Sequence, residues 1–401
     1  MCIQPTCVLT NYSQTDRSIK EVDHVDNPAS GKVANRLFFV DHLRAALIIL
    51  VVLHHLAFTS FFYLEPVNQG IPGILLVILL GMFLLINQAY FMGFFFLISG
   101  CFTPGSFDRK GPVSYLKGRL LRLGIPTLIY MFILSPIAAI GFYQLPASLT
   151  GITTPLTSQQ YPKLVGIGPM WFAIMLLVFE FSYVAWRIAT KNRAAHPATT
   201  TNAIKPTYHT IAVFILVVAL ASYLVRIVVP LSRYVLGFPT LAYLPQYISF
   251  FIIGIMAFQS NWLQTIQNSM GKWGFRVALV ATLVLFPLAL SGKTEFLGGG
   301  YCPSGAYALW DSTFSVGMCL GLITLFRRYF DRPIRLGSFL SQHAYAVYVF
   351  HFPIVVLLAL ALRGIHLEAP LKFGLAVIIG VPLCFTIAYL VRKIPLMDRI
   401  L

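Results

Sequence analysis

Five ionisable residues, Asp41, His42, Arg44, His54 and His55, fall inside one apolar stretch, residues 38–63, long enough to cross a bilayer. An Arg or Asp at the centre of a membrane helix costs about 2.5–3.5 kcal/mol on insertion scales, so such residues face a cavity or a partner. Arg44 and His55 are eleven residues apart. At about 100° per residue they return to one helix face, roughly 16 Å apart in depth. Asp41 lies about 60° from Arg44 on the same stripe, and His54 is turned about 80° away from it. Imidazole titrates near working pH, which suits it to taking a proton from a hydroxyl. In that reading His55 is a general base or an acyl carrier and Arg44 anchors an anionic ligand. In the other, Arg44 snorkels to the membrane surface and the histidines pair with neighbouring helices.

Five further groups carry chemistry-bearing side chains. Glu180 sits mid-span, where a carboxylate needs either a proton or a basic partner; it is a candidate to pair with an Arg or to orient a His. Arg119 and Arg122 are i, i+3 neighbours on any helix entering the membrane, so their two guanidinium forks can grip one phosphate or touch anionic headgroups. Trp171 opens a span, either as an interfacial anchor or as a sugar-stacking, tunnel-lining ring. Tyr348 and His351 share one face of a late span that Pro353 should kink, as cavity lining or as polar glue between helices. Asp311 is a weaker candidate of the same kind. The run from Phe94 to Gly100, F-F-F-L-I-S-G, reads as helix packing through Ser99 and Gly100.

The elements that must hold these residues are membrane helices. The 401 residues are 58% hydrophobic and 10% charged with mean hydropathy +0.78, outside the range of soluble domains. The fold class expected is an all-α polytopic membrane protein of about ten spans. These cover residues 38–63, 72–101, 124–144, 168–189, 208–229, 241–259, 275–291, 306–326, 338–362 and 371–391, bounded by Pro, Gly and charge. The second is too long for an upright span and must tilt, bend at Gly81 or extend past the surface. Net charge is +16, but the basic residues are scattered between apolar segments rather than clustered on one face, which argues against a nucleic-acid partner. With the N-terminus inside, 22 of the 29 Lys and Arg fall on the inner side and six, Arg226 among them, on the outer. That split places both termini in the cytoplasm. Residues 1–36 read as a flexible cytoplasmic tail, and residues 145–167 as an outer loop that could re-enter the membrane. The six cysteines form no C-x-x-C pair, and no metal site or disulfide framework is expected.

Taken together, the motifs resemble the acyltransferase type 3 family of integral-membrane O-acyltransferases. Arg44 and His55 reproduce an R-x10-H signature, and F-F-F-L-I-S-G ends the second helix. Arg119 and Arg122 give R-x-x-R before Leu-Gly-Ile-Pro, Trp171 and Phe172 look like the family's W-F element, and Tyr348-x-x-His351 resembles its late Y-x-x-H. The match covers residues 37–401, and the wording around Phe91 to Pro126 looks most like the glucan-modifying, glucan succinyltransferase branch. The resemblance implies an acyl-CoA donor entering from the cytoplasm, its phosphates held by Arg44, Arg119 and Arg122. His55 would act at the thioester with Arg44 and Glu180 in support. A carbohydrate or other hydroxylated acceptor would reach it past Trp171, Tyr348 and His351. No permanently bound cofactor is implied, acetyl and succinyl are the expected acyl groups, and the cell membrane is the expected location. The same buried Arg, His and Glu would otherwise serve a secondary transporter of a small anion, which needs no acyl donor.

Overall fold

The computed structural model describes residues 37–60, 70–144, 157–190, 206–239 and 241–401. The proposed tail and most of the loop after the third span lie outside the described residues. Ten helices among them are long and apolar enough to cross a membrane: α1 Phe38–Ser60, α2 Gly70–Lys110, α3 Pro112–Gly141, α4 Gly168–Thr190, α5 Tyr208–Val228, α6 Leu241–Gln259, α7 Asn268–Ser291, α8 Cys302–Tyr329, α9 Arg335–Arg363 and α10 Ala369–Arg392. The protein is therefore an all-α polytopic membrane protein. An even number of spans puts the start of α1, the end of α2, the start of α9 and the end of α10 at one membrane surface.

At the centre, α1 packs along α9, with α2, α8 and α10 also against it. α2 pairs with α6, α8 with both α5 and α7, and α9 with α10. α8 and α9 are the most deeply covered spans, and both carry polar side chains inward. Outward faces are apolar, for example Leu216, Val217 and Leu220 on α5, as lipid contact requires.

α2 resolves its excess length by extension. It is helical from Gly70 to Lys110, through Gly81 and past Pro104, and ends on Arg109 and Lys110. At 1.5 Å per residue its 41 residues span about 60 Å, twice a hydrocarbon core. Gly100 and Gly254 let α2 and α6 touch backbone to backbone. A Cβ on Gly100 would lie 2.2 Å from the Phe251 carbonyl oxygen, and one on Gly254 2.2 Å from that of Leu97. Gly254→Ala should therefore lower stability by about 1–3 kcal/mol in thermal unfolding. Gly81→Ala, with nothing within 4 Å of its Cβ, should leave it unchanged.

The third span begins earlier than its apolar run. The expected boundary at 124 moves to Pro112, which occupies the first helical turn after Gly111 turns the chain at φ 71°. Arg119 and Arg122 are thus both helical, but the helix widens into a π-turn at Leu120–Gly124 and again at Tyr130–Leu134. The first widening precedes Pro126. Proline has no N–H to give the carbonyl four residues back, and that carbonyl, on Arg122, accepts instead from the Tyr345 hydroxyl of α9.

The described part of the loop after α3, from residue 157, forms a short helix, Tyr161–Leu164. It is tied to α3 by Tyr161 Oη to the Phe132 carbonyl (2.6 Å) and Ser135 Oγ to the Leu164 carbonyl (2.9 Å).

Candidate active site

α1 presents His54 and His55 to different neighbours, as their 100° offset requires. His54 turns to α2, stacked on Phe91 (ring centroids 5.1 Å apart) with Nδ1 3.4 Å from Asn87 Nδ2. His55 turns to α9, where its ring meets His351 at 4.7 Å and Phe352 at 5.4 Å, both edge-on.

The hydrogen bonds around this pair specify its tautomers. His351 Nδ1 lies 2.7 Å from the Tyr348 carbonyl, and His55 Nδ1 2.9 Å from the Val51 carbonyl. A carbonyl only accepts, so both Nδ1 atoms carry hydrogen in the neutral rings. The Nε2 of His351 is then a lone pair, and it lies 3.2 Å from His55 Nδ1. His55 Nδ1–H is shared between Val51 and His351, which leaves the lone pair of His55 at Nε2, on the far side of the ring. His351 is completely buried, whereas His55 keeps accessible surface. One imidazole orients, and the other is reachable.

Tyr345, Tyr348 and His351 follow one another at i, i+3 along α9, each ring stacked on the next at 6.1 and 6.2 Å. Tyr345 holds the Arg122 carbonyl and Tyr348 Oη donates to the Pro169 carbonyl at 2.5 Å, just before Trp171. The six residues from Tyr345 to His351 rise about 9 Å, so this stripe connects the Arg122 end of α3 with His55. Trp171 is buried and lies flat on Tyr247 (5.6 Å, 25°), while Phe172 meets Tyr348 edge-on. The first turn of α4 therefore walls the histidine site.

Arg44 is half-buried on α1 with Nη1 3.9 Å from Asp41 Oδ1, the i, i+3 neighbour on its stripe. His42, one turn from the helix start, has Nδ1 2.8 Å from the Phe330 carbonyl. A Cβ on Gly337 would lie 2.2 Å from the His42 ring. Glycine at 337, in the first turn of α9, is what lets that helix start pack against the His42 ring on α1.

Glu180 takes an arginine partner. Its Oε1 lies 3.0 Å from Arg119 Nη2 and accepts from Thr103 Oγ1 at 3.0 Å, and its Oε2 accepts from the Tyr115 hydroxyl. The Arg119 guanidinium also lies over the Tyr115 ring, 5.0 Å from its centroid. Arg119 and Glu180 are 4% and 0% exposed. This cluster ties α2, α3 and α4 together. Of the two arginines read as one phosphate grip, Arg119 turns inward to Glu180, while Arg122 lies in the widened turn and keeps accessible surface.

A second buried ion pair was hidden in the sequence. Arg226, assigned there to an outer loop, lies within α5, is fully buried, and places Nη2 2.5 Å from Asp311 Oδ2 on α8. Its guanidinium lies over the Tyr243 and Tyr307 rings at 4.8 and 5.4 Å. A lone cation at the end of one apolar span and a lone carboxylate inside another were the signal, because a buried charge needs a partner.

A multi-pass membrane domain thus holds a tautomer-fixed histidine pair between α1 and α9, with Arg44 and Arg122 on the segments that lead to one surface. The chain belongs to the acyltransferase type 3 family, whose model, described as an acyltransferase domain, matches residues 37–390. Membership supports an acyltransferase activity. Comparison with curated proteins and with solved structures returns no match.

Proposed function

We propose that the protein is an O-acyltransferase that moves an acetyl or succinyl group from acyl-CoA to a hydroxyl of a carbohydrate. The glucan-modifying branch is favoured by the Phe91–Pro126 wording. The observation that carries this reading is the His55–His351 pair, which leaves the lone pair on Nε2 of a histidine that keeps accessible surface inside a membrane domain. The acceptor hydroxyl gives its proton to His55 Nε2 as its oxygen bonds to the thioester carbonyl. The C–S bond then breaks, and the imidazolium returns the proton to the departing thiolate, leaving an ester and free coenzyme A. While His55 is cationic, its Nδ1–H points at the His351 lone pair, which stabilises the charge and holds the ring in register.

Both termini are assigned to the cytoplasm by the excess of Lys and Arg at that surface, and moving Arg226 into the interior sharpens the bias. The donor then arrives at the Arg44 and Arg122 end and extends its thioester toward His55 along the Tyr345–Tyr348–His351 stripe. Arg44 and Arg122 hold its phosphates, while Arg119 and Glu180 set the position of α3. Trp171 and Tyr348 border the acceptor side. The membrane is the cell membrane.

The test is thermal stabilisation of purified protein by coenzyme A and a panel of its thioesters. A ligand at 100 times its Kd adds about 2.7 kcal/mol. Stabilisation by acetyl- or succinyl-CoA is expected; none by any thioester, in folded protein, would favour the anion transporter.

The pair also makes a prediction of its own. His351→Phe removes the acceptor for His55 Nδ1–H and should lower kcat by about 10²-fold, with little change in donor KM. His351→Gln, whose side-chain oxygen can accept the same hydrogen, should retain more of the rate. Equal kcat for the two variants would show that His351 only packs.

A further inference from the structure

The donor carries several phosphates, and the pairing of Arg119 with Glu180 withdraws one of the cations expected to meet them. A second guanidinium reaches the same place from another helix. Arg392, in the last turn of α10, donates through Nη1 to the Gln342 carbonyl of α9. Gln342 and Tyr345 are i, i+3 on α9, and Tyr345 holds the Arg122 carbonyl, so one turn of α9 docks both Arg392 and the Arg122 segment. The two arginines lie within electrostatic reach of each other. The short helix that follows α10, Met397–Ile400, packs on the π-turn containing Arg122. His343 and Asp398 are the other titratable groups within reach of Arg392.

Arg392 Nε is buried and has no hydrogen-bond partner. A buried guanidinium N–H without an acceptor is unfavourable, and the Asp398 carboxylate, the acidic group within reach of Arg392, offsets a single charge where two guanidinium groups stand. A phosphate satisfies both needs, since a guanidinium fork matches its oxygens in paired geometry. We infer that Arg392 is a phosphate-binding residue of the donor site, standing beside Arg122 in the place that Arg119 gives up to Glu180. This rests on the acyl-CoA reading above. The site lies where the Tyr345–Tyr348–His351 stripe begins, about two turns of α9 from the residue that meets His55.

The test is calorimetric titration of the purified full chain with coenzyme A, for wild type, Arg392→Gln, Arg392→Lys and Arg276→Gln, the last a cation elsewhere on the surface. Arg392→Gln should weaken coenzyme A binding by tenfold or more and raise the donor KM with kcat at saturation unchanged. Arg392→Lys should recover part of the loss, and Arg276→Gln should match wild type. Wild-type binding that Arg392→Gln leaves intact overturns the inference and spares the donor reading; no binding to wild type overturns both. Phosphatidylglycerol in mixed micelles separates the two sources of phosphate. Loss of its binding in Arg392→Gln, with coenzyme A affinity unchanged, would assign the site to a lipid headgroup and overturn the inference.

Discussion

Replacing His55 by alanine should lower acyl transfer by about 10²–10⁴-fold, the usual contribution of a positioned general base. The loss belongs to the chemical step. His55 meets His351 and Phe352 through ring edges and keeps accessible surface, so truncation leaves no large buried void. Binding of coenzyme A should survive, because Arg44 lies roughly 16 Å from His55 in depth and Arg122 is docked at Tyr345, about 9 Å along α9 from His351, so neither proposed phosphate contact involves the His55 ring. His54→Ala is the comparison: its ring stacks on Phe91 of α2 and meets the His55 ring edge-on at 5.5 Å, but takes no part in the His55–His351 hydrogen bond. It should alter stability more than rate. Steady-state kinetics with both variants, alongside donor titration, checks the assignment. A His55→Ala rate within tenfold of wild type would remove His55 from catalysis.

The largest stability change is expected at Glu180. Glu180→Leu leaves the Arg119 cation buried beside Thr103 and Tyr115 with its carboxylate gone. Breaking one side of a buried pair costs about 3–5 kcal/mol. Replacing both partners by apolar residues of similar size removes the stranded charge, so Arg119→Met with Glu180→Leu should recover most of that loss. The recovery is what distinguishes a coupled pair from two separate packing defects, and thermal unfolding of the two singles and the double measures it. A double variant as unstable as the sum of the singles would show no coupling. Where a single variant still folds, its donor affinity should fall less than that of Arg122→Ala, because Arg119 acts by holding α3 against α2 and α4.

Residue spacing made the helical part of this arrangement legible. Eleven residues from Arg44 to His55 are three turns, and three from Tyr348 to His351 are almost one, so each pair had to share a face. The ten spans were readable because lipid demands long apolar runs closed by Pro, Gly and charge. Helix periodicity says nothing of which face meets which helix. That His351 accepts from His55 is a tertiary fact, and neither residue carries it alone. Glu180 was readable only as two options, an arginine or a histidine partner, and the packing of α3 against α4 chose the first. The start of α3 was missed because its first two turns, Pro112–Arg119, are polar and basic and have no apolar run to mark them. Arg226 was misplaced for the opposite reason. A charge at the end of a hydropathic segment is drawn into the loop, although a carboxylate on α8 holds it inside.

The most direct measurement of the central claim is thiol release in the reconstituted protein, supplied with acetyl- or succinyl-CoA and a glucan acceptor and compared between wild type and His55→Ala. Release of one free thiol per ester formed, dependent on His55, is the predicted result. Full thiol release and ester formation without His55, or neither product from folded wild-type protein with both substrates, would contradict it.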